Sequence, residues 1–120
     1  QHGNPDIIVN AAGGVCNQVG TSVEEVESSG WKSIFAANVD SALHLAQSFV
    51  PAMKTNHCGR MITISSRAGL RQSLTGIHAY TAAKLALVGL TKQLSLELGQ
   101  HGMTVNSIAP GFILSNPATE

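Results

Sequence analysis

Three short apolar runs alternate with two long stretches in which hydrophobic residues return every three or four positions. Asp6-Ile7-Ile8-Val9-Asn10-Ala11-Ala12 is the first run, and it stops at Gly13-Gly14. Arg60-Met61-Ile62-Thr63-Ile64-Ser65 and Met103-Thr104-Val105-Asn106-Ser107-Ile108-Ala109 are the second and third. Such runs predict strands, and the unbroken apolar character of the first suits a parallel strand covered on both faces. Between the first two, Trp31, Ile34, Phe35, Asn38, Ala42, Leu45, Phe49 and Met53 repeat at helical spacing from a start near Ser29. Pro51 should bend or end that helix near its C-terminus. Ahead of it, Ser22 and Glu25 have the form of a capping box and predict a short turn. A second helix is predicted from about His78 to Leu98, with Tyr80, Lys84, Leu87, Thr91, Leu94 and Leu98 on one stripe. Gly99 and Gly102 supply its stop signals. A β-α-β-α-β order with helices of this length implies right-handed crossovers and a parallel sheet, hence an α/β fold.

Composition narrows the function classes. The 120 residues are one domain's length or a piece of a larger one, and 43% hydrophobic content suits a packed core. Charged residues make up only 12%, well under the usual quarter or so, which implies that much of the surface is covered by further chain or partner subunits. Net charge is zero with Lys and Arg scattered, so neither a nucleic-acid partner nor an anionic membrane is expected. No apolar stretch approaches the ~20 residues that span a bilayer. The N-terminus has neither the basic nor the apolar region of a signal peptide, and a cytoplasmic protein is expected. Cys16 and Cys58 lie in different loops and read as reduced thiols, with a disulfide as the alternative. The five histidines show no metal-ligand spacing, so no metal site is expected.

The chemistry centres on Tyr80 and Lys84. Residues four apart share one helix face, so the phenol and the ammonium project together. An ammonium beside a phenol favours its ionised form, which suits Tyr80 to general acid/base work. One helical turn carrying Tyr and Lys arises often by chance; its neighbours give this one weight. Ser65 and Ser66 close the second apolar run, Asn10 and Gly13 close the first, and Pro110-Gly111 follows the third.

Taken together these segments resemble the short-chain dehydrogenase/reductase family, in its 3-oxoacyl carrier-protein reductase-like branch. Asn10-Ala11-Ala12-Gly13 is similar to the Asn-(Asn/Ala)-Ala-Gly motif at the end of the family's fourth strand, and Asn38-Val39 sits where the family keeps a catalytic Asn. Ile64-Ser65-Ser66 with Arg67-Ala68-Gly69 resembles the catalytic-serine segment, Tyr80-Thr81-Ala82-Ala83-Lys84 the YxxxK helix, and Asn106 to Gly111 the Asn-x-x-x-Pro-Gly turn. The resemblance implies a Rossmann-like doubly wound parallel sheet, here strands four to six with their two long helices. It implies hydride transfer between NAD or NADP and a small secondary alcohol or ketone. Tyr80 would exchange the proton, and Lys84 would bias it and hydrogen-bond the nicotinamide ribose. Ser66, chosen over Ser65 because the family's serine precedes x-x-Gly, would polarise the substrate oxygen. Asn38 would open its helix around a water and extend a proton relay. Asn10, Ala11 and Gly13 would contact the adenosine side of the cofactor, and Pro110, Gly111, Ile113 and Ser115 the nicotinamide side. His78, beside Tyr80, and Leu74 or Ile77 are candidates to touch substrate, with ordinary loop residues as the alternative. Small residues at Ala82, Ala83, Ala86 and Gly89 would let helices approach across a subunit interface, giving a homodimer or homotetramer at full length.

The family's glycine-rich fingerprint at the first β-α turn, where helix N–H groups bind pyrophosphate, has no counterpart before Asn10. Residues 1–120 are therefore expected to be the catalytic half of a Rossmann-type domain, without its N-terminal cofactor half and C-terminal end. The strand carrying Ile7, Ile8 and Val9 would then be an unpaired edge, and this polypeptide alone would associate and lack useful activity. The alternative is a truncated, non-enzymatic product that binds a full-length relative.

Overall fold

A computed structural model describes residues 3–115. Strand β1 (Ile7–Asn10) pairs in parallel with β2 (Gly59–Ile64), and β2 pairs in parallel with β3 (Met103–Ile108), giving the order β1-β2-β3. β1 is shorter than its apolar run. The Asn10 side-chain oxygen accepts the N–H of Ala12 at 3.1 Å, turning the chain out of the sheet. Gly13 and Gly14 then take φ of 140° and 150°, a region closed to most L side chains. As an edge strand, β1 has β2 as its sole partner among the described residues.

The first helical stretch divides into α1 (Ser28–Phe35), a π-helical turn (Ala36–Asp40) and α2 (Ser41–Asn56). The π turn is centred on Asn38. There the N–H of Ser41 reaches back five residues to the carbonyl of Ala36. Side chains satisfy two neighbouring carbonyls: Asn38 Nδ2 donates to Ile34 O at 2.8 Å, and Ser41 Oγ to Ala37 O at 2.8 Å. Pro51 does not end the helix, which continues to Asn56. Pro51 is exposed, as is Gln47, whose carbonyl loses its N–H partner. Ahead of α1, a single 3-10 turn (Val23–Glu25) forms where the capping box predicts it. The Glu25 carboxylate accepts from the Ser22 hydroxyl at 2.8 Å and the Ser22 N–H at 3.4 Å. A four-residue helix not foreseen from the sequence, α3 (Arg67–Leu70), follows β2, and α4 runs from His78 to Gly99.

Ile8, Met61, Met103 and Val105 point to one face of the sheet and pack with Ala42, Ala46, Val50, Met53, Leu87 and Leu98 from α2 and α4. A second cluster, Ile34 with Ala79 and Ala83, locks α1 against the first turns of α4, and Tyr80 packs at its rim. The opposite sheet face differs from the expectation of cover on both sides. The register puts Ile7, Val9, Ile62, Ile64 and Ile108 together there, and Ile7 and Val9 stay 62% and 57% exposed. Among the described residues the helices of the core lie on one face, so the unbroken apolar run reports a surface that the described residues leave uncovered. Cys16 and Cys58 are free and exposed. No described helix is long and apolar enough to cross a membrane.

Candidate active site

Parallel strands bring the segments after Asn10, Ile64 and Ile108 together at the carboxyl ends of the strands, where ligands of open α/β sheets bind. The loop after β1 is zipped to the loop before α4 by Gly20 N–H to Thr75 O (2.8 Å) and Thr21 N–H to Gly76 O (3.3 Å). Beside them opens a cavity of ≈ 520 Å³, lined by Ser66, Tyr80, Leu74, Ile77, Pro110 and Gly111 among others. Arg67, Gln72 and Phe112 line it as well; sequence reasoning gave them no role, although Arg67 and Phe112 adjoin the motifs. His78 faces away and lines a separate ≈ 350 Å³ cleft with Trp31 and Lys32.

The two serines have different partners. Ser65 is buried, with its hydroxyl donating to the carbonyl of Lys84 at 2.9 Å, so it fastens β2 to α4. Ser66 lines the cavity; its hydroxyl oxygen accepts the Ala68 N–H at 3.1 Å and caps α3, leaving the hydroxyl proton for another acceptor. Lys84, almost fully buried, donates from Nζ to Ile64 O at 2.8 Å, with Nζ 5.5 Å from the centroid of the Tyr80 ring.

Asn38 is buried and fully engaged. Its Oδ1 accepts the Gly14 N–H at 3.0 Å, while Nδ2 donates to Gly14 O at 2.9 Å and to Ile34 O at 2.8 Å. The amide therefore clamps the loop after β1, and a side chain on Gly13 would collide with Asn38 and reach contact with Lys84 Nζ at 3.4 Å. Asn10 ties β1 to helix α2 through Ser41 Oγ (3.4 Å) rather than to a neighbouring strand. Ala11 and Gly13 are exposed beside it. Beyond β3, Pro110 accepts the N–H of Arg67 at 2.9 Å; Ile113 is 63% exposed, and Ser115 is the last described residue.

Burial holds Lys84 below its ordinary value of 10.5. The folded chain then binds fewer protons at this site than the unfolded chain between the depressed value and 10.5. Through that window this group makes stability rise with pH. In urea unfolding at a series of alkaline pH values, wild type minus Lys84→Met should therefore show stability increasing towards pH 10.5. A flat difference would show that burial does not disfavour the charged form.

A sequence profile of the family described as short chain dehydrogenase matches residues 1–120. The chain is 41% identical over 113 residues to a D-beta-hydroxybutyrate dehydrogenase of Rhizobium meliloti (strain 1021), covering 94% of this chain and 42% of that protein. It is 37% identical over 113 residues to the 3-oxoacyl-(acyl-carrier-protein) reductase FabG of Salmonella typhimurium, covering 94% and 45%. A solved 3-oxoacyl-(acyl-carrier protein) reductase of Brucella melitensis with bound NAD superimposes with a TM-score of 0.86 at 32% identity, over 94% of this chain and 44% of that one. The chain thus spans less than half the length of the relatives it matches.

Proposed function

The chain belongs to the short-chain dehydrogenase family, and from that premise we propose that the protein is an NAD- or NADP-dependent oxidoreductase acting on a secondary alcohol or ketone. The observation that carries this reading is the convergence of Ser66 and Tyr80 on one cavity, with the buried Lys84 beside Tyr80. Room for a dinucleotide at the adjoining strand ends supports this reading. Gly14 has open space where a side chain would stand, and the exposed Ala11 and Gly13 leave backbone free for close approach. Asn10, Ala11 and Gly13 would hold its adenosine side; Pro110, Gly111, Ile113 and Ser115 the nicotinamide side; Lys84 the ribose. The nicotinamide, when bound, supplies or accepts the hydride.

The chain's own residues handle the oxygen and the proton. Ser66 gives a hydrogen bond to the substrate oxygen and orients it. Tyr80 delivers its hydroxyl proton to that oxygen as a carbonyl is reduced, and takes one back when an alcohol is oxidised. Lys84 places positive charge where the phenolate develops. The Asn38 side chain is committed to Gly14 and Ile34, so a proton relay past it would use the backbone of the π turn. The assay is the protein at its natural length with NADH or NADPH and a panel of ketones, followed by loss of reduced-nicotinamide absorbance. Turnover with one cofactor is expected; none with either, across ketones and the corresponding alcohols, overturns the reading.

A second reading rests on the uncovered sheet face of Ile7, Val9 and Ile108, each more than half exposed. In it, a product limited to these 120 residues has no turnover and binds a longer relative through that face and the β1 edge. Ile7→Lys with Val9→Lys should then abolish co-purification with such a relative, and retained association would exclude it.

A further inference from the structure

We propose that Arg67 selects substrates carrying an anionic group, so that the reducible carbonyl belongs to an oxo acid or a phosphorylated ketone. The inference rests on the dehydrogenase reading of the same cavity and adds the substrate class. Arg67 directly follows Ser66, and its backbone is fixed by the 2.9 Å hydrogen bond from its N–H to Pro110 O. Its guanidinium carbon lies 5.8 Å from the centroid of the Phe112 ring, a second residue of the cavity wall. That distance is within cation–π range and places the guanidinium at the cavity wall, where Arg67 and Phe112 are both exposed and open to an incoming ligand.

Among the described residues lining the cavity Arg67 is the one charged residue, with no Asp or Glu beside it. The single ion pair recorded among the described residues joins Lys54 to Glu97, and no described hydrogen bond uses the Arg67 guanidinium. Its five N–H donors are thus available, in a fork that matches a carboxylate or phosphate in two parallel hydrogen bonds. Nearby Gln72, Ser73 and Thr75 add polar groups, while Leu74, Ile77 and Phe112 offer apolar surface for a short carbon chain. A cleft lined by charge of one sign also concentrates ligands of the opposite sign. A neutral ketone would make none of these charge-assisted contacts.

The test uses the full-length protein and matched pairs: 2-, 3- and 4-oxo acids against their methyl esters, and hydroxyacetone phosphate against hydroxyacetone. Wild type should prefer at least one anion over its neutral partner by tenfold or more in kcat/KM. Arg67→Ala should remove about ten- to a hundredfold of that preference, mainly through KM, while turnover of the neutral partners stays unchanged. Arg67→Lys should restore part of it. Loss confined to oxo acids assigns a carboxylate, and loss confined to the phosphate ester assigns a phosphate. Equal loss for anionic and neutral partners, or no anion preference in wild type, overturns the role of Arg67 while leaving the dehydrogenase reading intact. Calorimetric titration with malonate and inorganic phosphate gives a readout without turnover. Binding of either anion that Arg67→Ala weakens tenfold supports the assignment, and binding equal in both proteins, or absent from wild type, removes it.

Discussion

Tyr80→Phe in the full-length protein should lower turnover by about 10²- to 10⁴-fold, the range assigned to a positioned general acid or base. The substitution removes one oxygen and leaves the ring. That ring packs against the cluster of Ile34, Ala79 and Ala83, so the helix and the cavity wall should persist. The loss should fall on kcat and on kcat/KM alike, because the proton is exchanged in the transition state and contributes little to ground-state binding. Fluorescence titration with reduced nicotinamide cofactor should show an affinity close to wild type, since Lys84 keeps its bond to Ile64 O without help from the phenol. Turnover at the wild-type level would remove Tyr80 from the proton step. Lost cofactor affinity alongside lost turnover would instead make the hydroxyl a binding group.

The sequence made the elements legible, because they depend on local periodicity and on glycine. The strands, the long helix at His78–Gly99 and the parallel order follow from alternating apolar runs and amphipathic stretches with crossovers of adequate length. The distortion at Asn38 was also legible, but only through resemblance. No propensity predicts a π turn; this one exists because Asn38 and Ser41 side chains satisfy carbonyls in the distorted segment. Long-range commitments were hidden. That Ser65 spends its hydroxyl on Lys84 O, nineteen residues away, is set by how β2 meets α4. The same holds for Asn10, whose amide reaches Ser41 across thirty-one residues. Pro51 does not end the helix because a proline's effect depends on which side of the helix loses its hydrogen bond, and here Pro51 and Gln47 are both exposed. The low charge fraction pointed to cover by further chain or partner subunits, but not to which sheet face would need it. Ile7 and Val9 record what the face is suited to pack against, and the described residues do not include that cover.

The spacing from Ser66 to Gly69, used to choose between the two serines, has a steric cause, and Gly69→Ala tests it. Gly69 is buried in α3 where that short helix meets α4. A Cβ there would stand 2.8 Å from the Lys84 carbonyl carbon, 2.9 Å from the Leu85 nitrogen and 2.9 Å from Lys84 Cβ. Two of those atoms belong to the backbone of a 22-residue helix, which cannot swing aside as a side-chain tip can. Relief must come from α3, and α3 is capped by Ser66. Gly69→Ala should therefore destabilise the protein by about 1–3 kcal/mol, the usual effect of overpacking, although alanine is the better helix former. It should also displace the Ser66 hydroxyl from the oxygen it orients, and misplacement by about 1 Å lowers rate by about 10²-fold. Gly89→Ala is the internal control. Gly89 lies in α4 with nothing from beyond its own helix within 4 Å of the added methyl. In the monomeric chain helix propensity should therefore act and stability should rise by up to about 1 kcal/mol, whereas a drop in the full-length oligomer would place Gly89 at the subunit contact. Chemical unfolding and steady-state kinetics on both variants decide the matter. Opposite signs in stability, with turnover lost only in Gly69→Ala, would establish that the glycine is required by the approach of α3 to Lys84. A neutral Gly69→Ala would mean that the two helices have room to part, and Ser66 would need another anchor.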